Sequence, residues 1–180
     1  MIAFAVLALR LIVPFTIFRW PLFGGLLALL ADVYDYVLLN KFGWGFLTSE
    51  TYQPVDKLFD IYYLSFEAFV ASKWNDSIAR KTAVALFSWR LVGTIIFEFT
   101  QLRKFLFFAP NIFEYFYLTY LSIRKFRPAF HLQKRLLIIL LLTIGIPKLI
   151  WEFILHYLEY PLGIANSLEF IGRFLKNLIF

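Results

Sequence analysis

An all-α membrane domain, six transmembrane helices followed by a C-terminal amphipathic surface helix, is what this sequence predicts, and three observations carry the prediction. Hydrophobic residues fill 61% of the 180 positions and charged residues only 17%, below the roughly 25% of soluble domains. Several apolar windows reach the about 20 residues that cross ~30 Å of hydrocarbon at ~1.5 Å each. The Lys and Arg residues fall in short clusters between those windows, such as Arg80-Lys81, Arg103-Lys104 and Arg124 to Arg135, as membrane loops do where they meet anionic headgroups. That distribution turns the net charge of +6 away from nucleic acid and towards lipid. The chain has no cysteine, so it offers no disulfide framework and no thiolate metal site.

The elements follow in order. Helix one is expected over about Ile2 to Phe18, kinked at Pro14, and its lack of a charged leader and small-residue cleavage site marks it as retained. Arg19-Trp20-Pro21 makes a tight turn into helix two, about Leu22 to Asn40, where Gly24-Gly25 allows close helix contact. Lys41 to Pro54 reads as a loop, and helix three runs about Val55 to Ser72. After a loop over Lys73 to Lys81, helix four covers about Thr82 to Thr100, helix five about Phe105 to Ile123 and helix six about Leu136 to Tyr157. From Leu162 onward, Ile164, Leu168, Ile171, Leu175 and Leu178 recur at helical spacing among polar residues, the pattern of a surface-lying helix. The chain is thus one integral domain over 1–180, a transmembrane bundle to residue 160 and an amphipathic tail over 161–180. Its expected setting is a plasma or inner membrane, crossed several times.

Four of the five aspartates form two pairs. Asp32 and Asp35 lie three apart near the end of helix two, Asp56 and Asp60 four apart at the start of helix three, so each pair shares a helical face. One loop joins the two helices, which puts both pairs at the same end of the bundle. Clustered carboxylates repel strongly in a low dielectric, and a divalent cation resolves the repulsion. Oxygen ligands without Cys or clustered His favour Mg²⁺, Ca²⁺ or Mn²⁺. The alternative is that the aspartates are helix ends solvated at the interface, with Asp56 near a favourable helix N-terminus.

The run Asp32-Val-Tyr-Asp35-Tyr-Val-Leu-Leu-Asn40, followed by Asp56-Lys-Leu-Phe-Asp60, resembles the signature of the CDP-alcohol phosphatidyltransferases, D-x-x-D-G-x-x-A-R and then G-x-x-x-D-x-x-x-D. The resemblance covers about 30 residues, and the six-helix layout is similar to that family's. It implies two divalent ions, Mg²⁺ or Mn²⁺, among Asp32, Asp35, Asp56 and Asp60. Asp60 would also serve as the catalytic base that deprotonates an acceptor alcohol, which attacks a CDP-linked donor and expels CMP. Tyr36, Leu39, Asn40 and Tyr52 stand where the signature has its glycines, alanine and arginine, and the spacer is three residues longer. The metal-holding carboxylates are therefore kept while the nucleotide cradle is altered. The expected partners are membrane lipids, a CDP-linked donor and an alcohol acceptor, with no nucleic acid and with a homodimer left open. A non-catalytic relative of the same fold and a small transporter or channel are the alternatives.

Other intramembrane polar residues are Arg10, Glu67, Arg90, Glu98 and Glu114, for which mutual pairing is the plain expectation. The resemblance makes Arg90 a candidate for lipid phosphate. Lys148, Glu152 and His156 recur every four residues as a polar stripe, and His131 sits in a basic loop with no partner for a triad. The loop charges, nine on the side of Arg19 and six on the side of the aspartates, place the first side in the cytoplasm by the positive-inside rule. The resemblance implies the reverse, and the expectation taken here follows the resemblance.

Overall fold

A computed structural model describes residues 2–42, 49–102 and 104–156, and every regular element among them is helical. The helices are α1 (Ile2–Ile12), α2 (Thr16–Arg19), α3 (Pro21–Phe42), α4 (Ser49–Ala71), α5 (Ser77–Thr100), α6 (Lys104–Phe108), α7 (Ile112–Phe126) and α8 (Lys134–His156). The expected all-α class holds. The tail over 161–180 lies outside the described residues.

Among the described residues two helices are long and apolar enough to cross a membrane, Pro21–Lys41 and Ser77–Thr100. The first expected helix is divided rather than simply kinked. Pro14 has no N–H to donate, and Val13–Phe15 tightens into a 3-10 turn between α1 and α2. The chain then doubles back at Trp20, and the α2–α3 hairpin is closed by Gly24. A Cβ on Gly24 would lie within 2.6 Å of the Ile17 Cα, so only glycine allows that approach.

The fifth expected helix, Phe105 to Ile123, is a correction. It is broken into α6 and α7, because Pro110 interrupts the donor ladder and Asn111 starts a new helix by accepting the Glu114 N–H at 3.4 Å. The resulting α7 is 15 residues, about 22 Å long, and it forms the centre of the molecule. Its Phe113, Phe116 and Tyr117 are fully buried and pack with Tyr63 and Leu64 of α4, Ile17 of α2 and Ala28 of α3. Trp74 stacks on Tyr117, at 5.6 Å between ring centroids, and lies tilted against Tyr120 at 4.4 Å.

The fourth helix starts earlier than expected because Asp76 caps it. Asp76 accepts the Ile78 and Ala79 N–H groups, both at 3.1 Å, and also the Leu132 N–H at 2.6 Å, tying the α7–α8 connection to the start of α5. Burial works against its charge, but these three donors more than offset it and hold the Asp76 carboxyl below the usual range.

Around this interior, large apolar side chains face outward along several helices, among them Phe4 and Ile12 of α1, Phe23 of α3, Trp89 and Phe99 of α5 and Ile139 of α8. α1 packs along α3 and α4, and α4 packs against α5 and α7. Those contacts bring the polar positions of α1, α3, α4 and α5 to one place.

Candidate functional site: four aspartates around Arg10

The two aspartate pairs meet as their spacing predicts. Asp32 and Asp35 leave one face of α3, Asp56 and Asp60 leave one face of α4, and all four carboxylates are joined by a guanidinium from α1. Arg10, in the last turn of α1, donates from Nη1 to Asp35 and, at 2.9 Å, to Asp56. From Nη2 it donates to Asp32 and, at 3.3 Å, to Asp60. Each terminal nitrogen thus takes one carboxylate from α3 and one from α4, a use of the planar fork that a lysine could not reproduce. The Phe59 ring lies 5.2 Å from the Arg10 Cζ, within cation–π range.

Two further cations border the cluster on the Asp60 side. The Lys57 ammonium reaches Asp56 at 2.8 Å and Asp60 at 3.2 Å. Arg90 of α5 approaches Asp60 at 3.8 Å through Nη2 and donates from Nη1 to the Ala109 carbonyl at 3.0 Å. That carbonyl belongs to the α6–α7 break. Gly93, one turn beyond Arg90, lets Ala109 come so close that a Cβ on residue 93 would overlap it. The broken helix and the glycine opposite it therefore place Arg90.

The cluster is closed on one side and open on the other. Asp35 and Arg10 are 2% and 3% exposed at the side chain, whereas Asp32 is 24% and Lys57 23% exposed. Among the described residues Arg10, Lys57 and Arg90 are counter-ions to the four carboxylates.

As a metal centre, the donor set fits in chemistry. Asp32, Asp35 and Asp56 each offer a carboxylate oxygen within 4.8 Å of the others, and oxygen-only ligation suits Mg²⁺, Mn²⁺ or Ca²⁺. Asp60 joins through the same guanidinium. Arg10 engages one oxygen of every carboxylate, so a divalent cation would have to bind through the other oxygens or displace the guanidinium.

The remaining expected residues fall in varied places. Arg90 enters the cluster itself. Glu67 and Glu114 are buried in the interior, and Glu98 is exposed on α5. Lys148 lies 5.6 Å from the Tyr115 ring centroid, while the side chains of Glu152, His156, Tyr36 and Tyr52 lie outside the described residues. His131 is exposed, its Nδ1 2.9 Å from the Ala129 carbonyl. Sequence reasoning left Arg10 and Lys57 out of the site. The available signals were a lone arginine in an apolar run, where charge persists only with partners, and a lysine set between two paired aspartates.

Comparison of the chain with protein-family models, with curated proteins and with solved structures returned no match.

Proposed function

We propose that the chain is a multi-pass membrane protein whose aspartate centre holds divalent cations, Mg²⁺ or Mn²⁺, and transfers a phosphoalcohol or phosphatidyl group from a CDP-linked donor to an alcohol. The observation that carries this reading is the meeting of Asp32, Asp35, Asp56 and Asp60, two from each of two successive helices, in one partly open cluster. Their spacing resembles that of the CDP-alcohol phosphatidyltransferase signature. The multi-pass part is supported by two long apolar helices, by the 23-residue lengths of α4 and α8, about 34 Å each, and by the outward apolar side chains, which lipid would cover.

In this reading Asp32, Asp35, Asp56 and Asp60 hold the cations, which enter from the open side at Asp32. Bound ions would neutralise and orient the donor phosphates. Asp60 has a second role, taking the proton of the acceptor hydroxyl. Lys57 and Arg90 flank Asp60 and present positive charge to an arriving phosphate.

One observation favours a second reading. Because Arg10 already bonds all four carboxylates, the cluster also suits a non-catalytic relative in which the guanidinium is a permanent counter-ion. The test is Mn²⁺ binding together with CMP release, using purified protein and a panel of CDP-linked donors and alcohols. Wild type is compared with Tyr36→Gly, which restores the glycine of the signature. Binding with CMP release supports the transferase. Binding without release in either protein supports the non-catalytic relative, and absence of both sinks the metal-centre reading.

A further inference from the structure

The α4 face that carries Asp56 and Asp60 continues inward as Tyr63 and Glu67, at helical steps of three and four. Glu67 is fully buried, and among the described residues neither of its carboxylate oxygens has a hydrogen-bond partner. It rests against Gly25 of α3, so closely that a Cβ there would lie 2.8 Å from Glu67 Oε1, with Leu118 and Tyr117 of α7 at 3.0 and 3.2 Å from the same point.

The titratable groups around Glu67 are Tyr63 on its own helix and Tyr117 and Glu114 on α7. Its charged neighbour is thus another acid. Glu114 is itself buried and accepts from the Tyr63 hydroxyl at 2.8 Å and from Asn111 Nδ2 at 3.0 Å. Arg90 of α5, Lys148 of α8 and Asp60 of α4 face Glu114. Among the described residues, Arg90 and Lys148 thus act on Glu114, and the charged group that acts on Glu67 is Glu114 itself. An ionised carboxylate with no bonds, in an apolar interior and beside a second acid, is far costlier than the neutral acid.

We propose that Glu67 is a proton-binding site, occupied as the carboxylic acid in the assembled fold, and that its occupancy controls the packing of α3 on α4. The register explains why the two are coupled. Gly25 precedes Asp32 by seven residues on α3, and Glu67 follows Asp60 by seven on α4. On these successive helices the Gly25–Glu67 contact lies two turns, about 10 Å, from the aspartate cluster. Loss of the proton would set an unsatisfied charge between the helices that bring the carboxylates together. The inference rests on this packing and stands apart from the phosphotransfer reading.

The experiment is infrared spectroscopy of the full chain in lipid nanodiscs across a pH series, paired with the distance between spin labels at exposed Leu30 of α3 and Ser65 of α4. At neutral pH the wild type is expected to show a protonated-carboxyl stretching band that Glu67→Gln removes and Glu114→Gln, which leaves Glu67 in place, retains. Raising the pH should abolish the Glu67 band and lengthen the α3–α4 distance together. Glu67→Gln should hold the distance constant over the same range. The inference is overturned if Glu67→Gln removes no such band, or if Na⁺ or K⁺ at fixed pH abolishes it, which would make the site a metal-cation site. Should Glu67→Gln fail to fold, the wild type still decides: loss of the band with no change in distance refutes the coupling.

Discussion

Arg10 of α1 and Asp35 of α3 form an ion pair whose side chains are 3% and 2% exposed, and the same guanidinium reaches Asp56 and Asp60 on α4. The pair therefore fastens the short first helix to the two that carry the carboxylates. Removing one member of a buried pair leaves an uncompensated charge, at a cost of roughly 3–5 kcal/mol. Arg10→Ala is expected to destabilise the fold by that order in denaturant titration, and Arg10→Lys to recover only part of the loss, since a point charge cannot bridge both helices. Mn²⁺ should raise the stability of Arg10→Ala more than that of wild type, because the cation meets four carboxylates with no guanidinium to displace.

Gly93 and Ala109 set the distance between α5 and the α6–α7 break, and with it the position of Arg90. Gly93→Ala should cost about 1–3 kcal/mol, as overpacking typically does. The second substitution Ala109→Gly should return most of it. Measuring both single variants and the double variant gives the coupling directly.

Asp76 makes a prediction about acid. Its folded-state pKa is depressed, so its contribution is fully present above the ordinary Asp value of about 4 and is lost as pH falls through the folded value. Asp76→Asn should reduce stability at neutral pH and flatten the acid limb of the stability–pH curve. Thermal melts of the two proteins between neutral and acid pH supply the comparison.

Asp60→Asn and Asp32→Asn should differ in kind. If Asp60 takes the hydroxyl proton, its loss should reduce turnover by roughly 10²–10⁴-fold while donor binding changes little. Asp32→Asn should act through cation affinity and recover as Mn²⁺ is raised.

Local spacing made part of this site legible and long-range pairing hid the rest. The intervals from Asp32 to Asp35 and from Asp56 to Asp60 fixed a shared face on each helix, and the single loop between α3 and α4 fixed a shared end. Arg10 is 22 residues or more from its partners, and no periodicity within α1 indicates which helix it meets. The break before α7 was marked in the sequence by Pro110 and by Asn111 three residues before Glu114, the form of a helix-starting cap. It was obscured by the apolar residues on both sides, which read as one continuous window. Glu67 was visible as an intramembrane acid expected to pair. That its carboxylate has no hydrogen-bond partner among the described residues depends on α7 and Gly25 closing over it.

The most direct test of the central claim is Mn²⁺ binding to the purified chain, followed by electron paramagnetic resonance in wild type, Asp32→Asn and Asp56→Asn. Asp32 and Asp56 are the more exposed carboxylates of the proposed ligand set, so these variants remove ligands with the least disturbance of the buried Arg10–Asp35 pair. A cation centre predicts saturable binding to wild type, competed by Mg²⁺ and weakened at least about tenfold by either substitution. Equal affinity in all three proteins, or no saturable binding to wild type, would contradict it and leave Arg10, with Lys57 and Arg90 beside it, as the counter-ions of the four carboxylates.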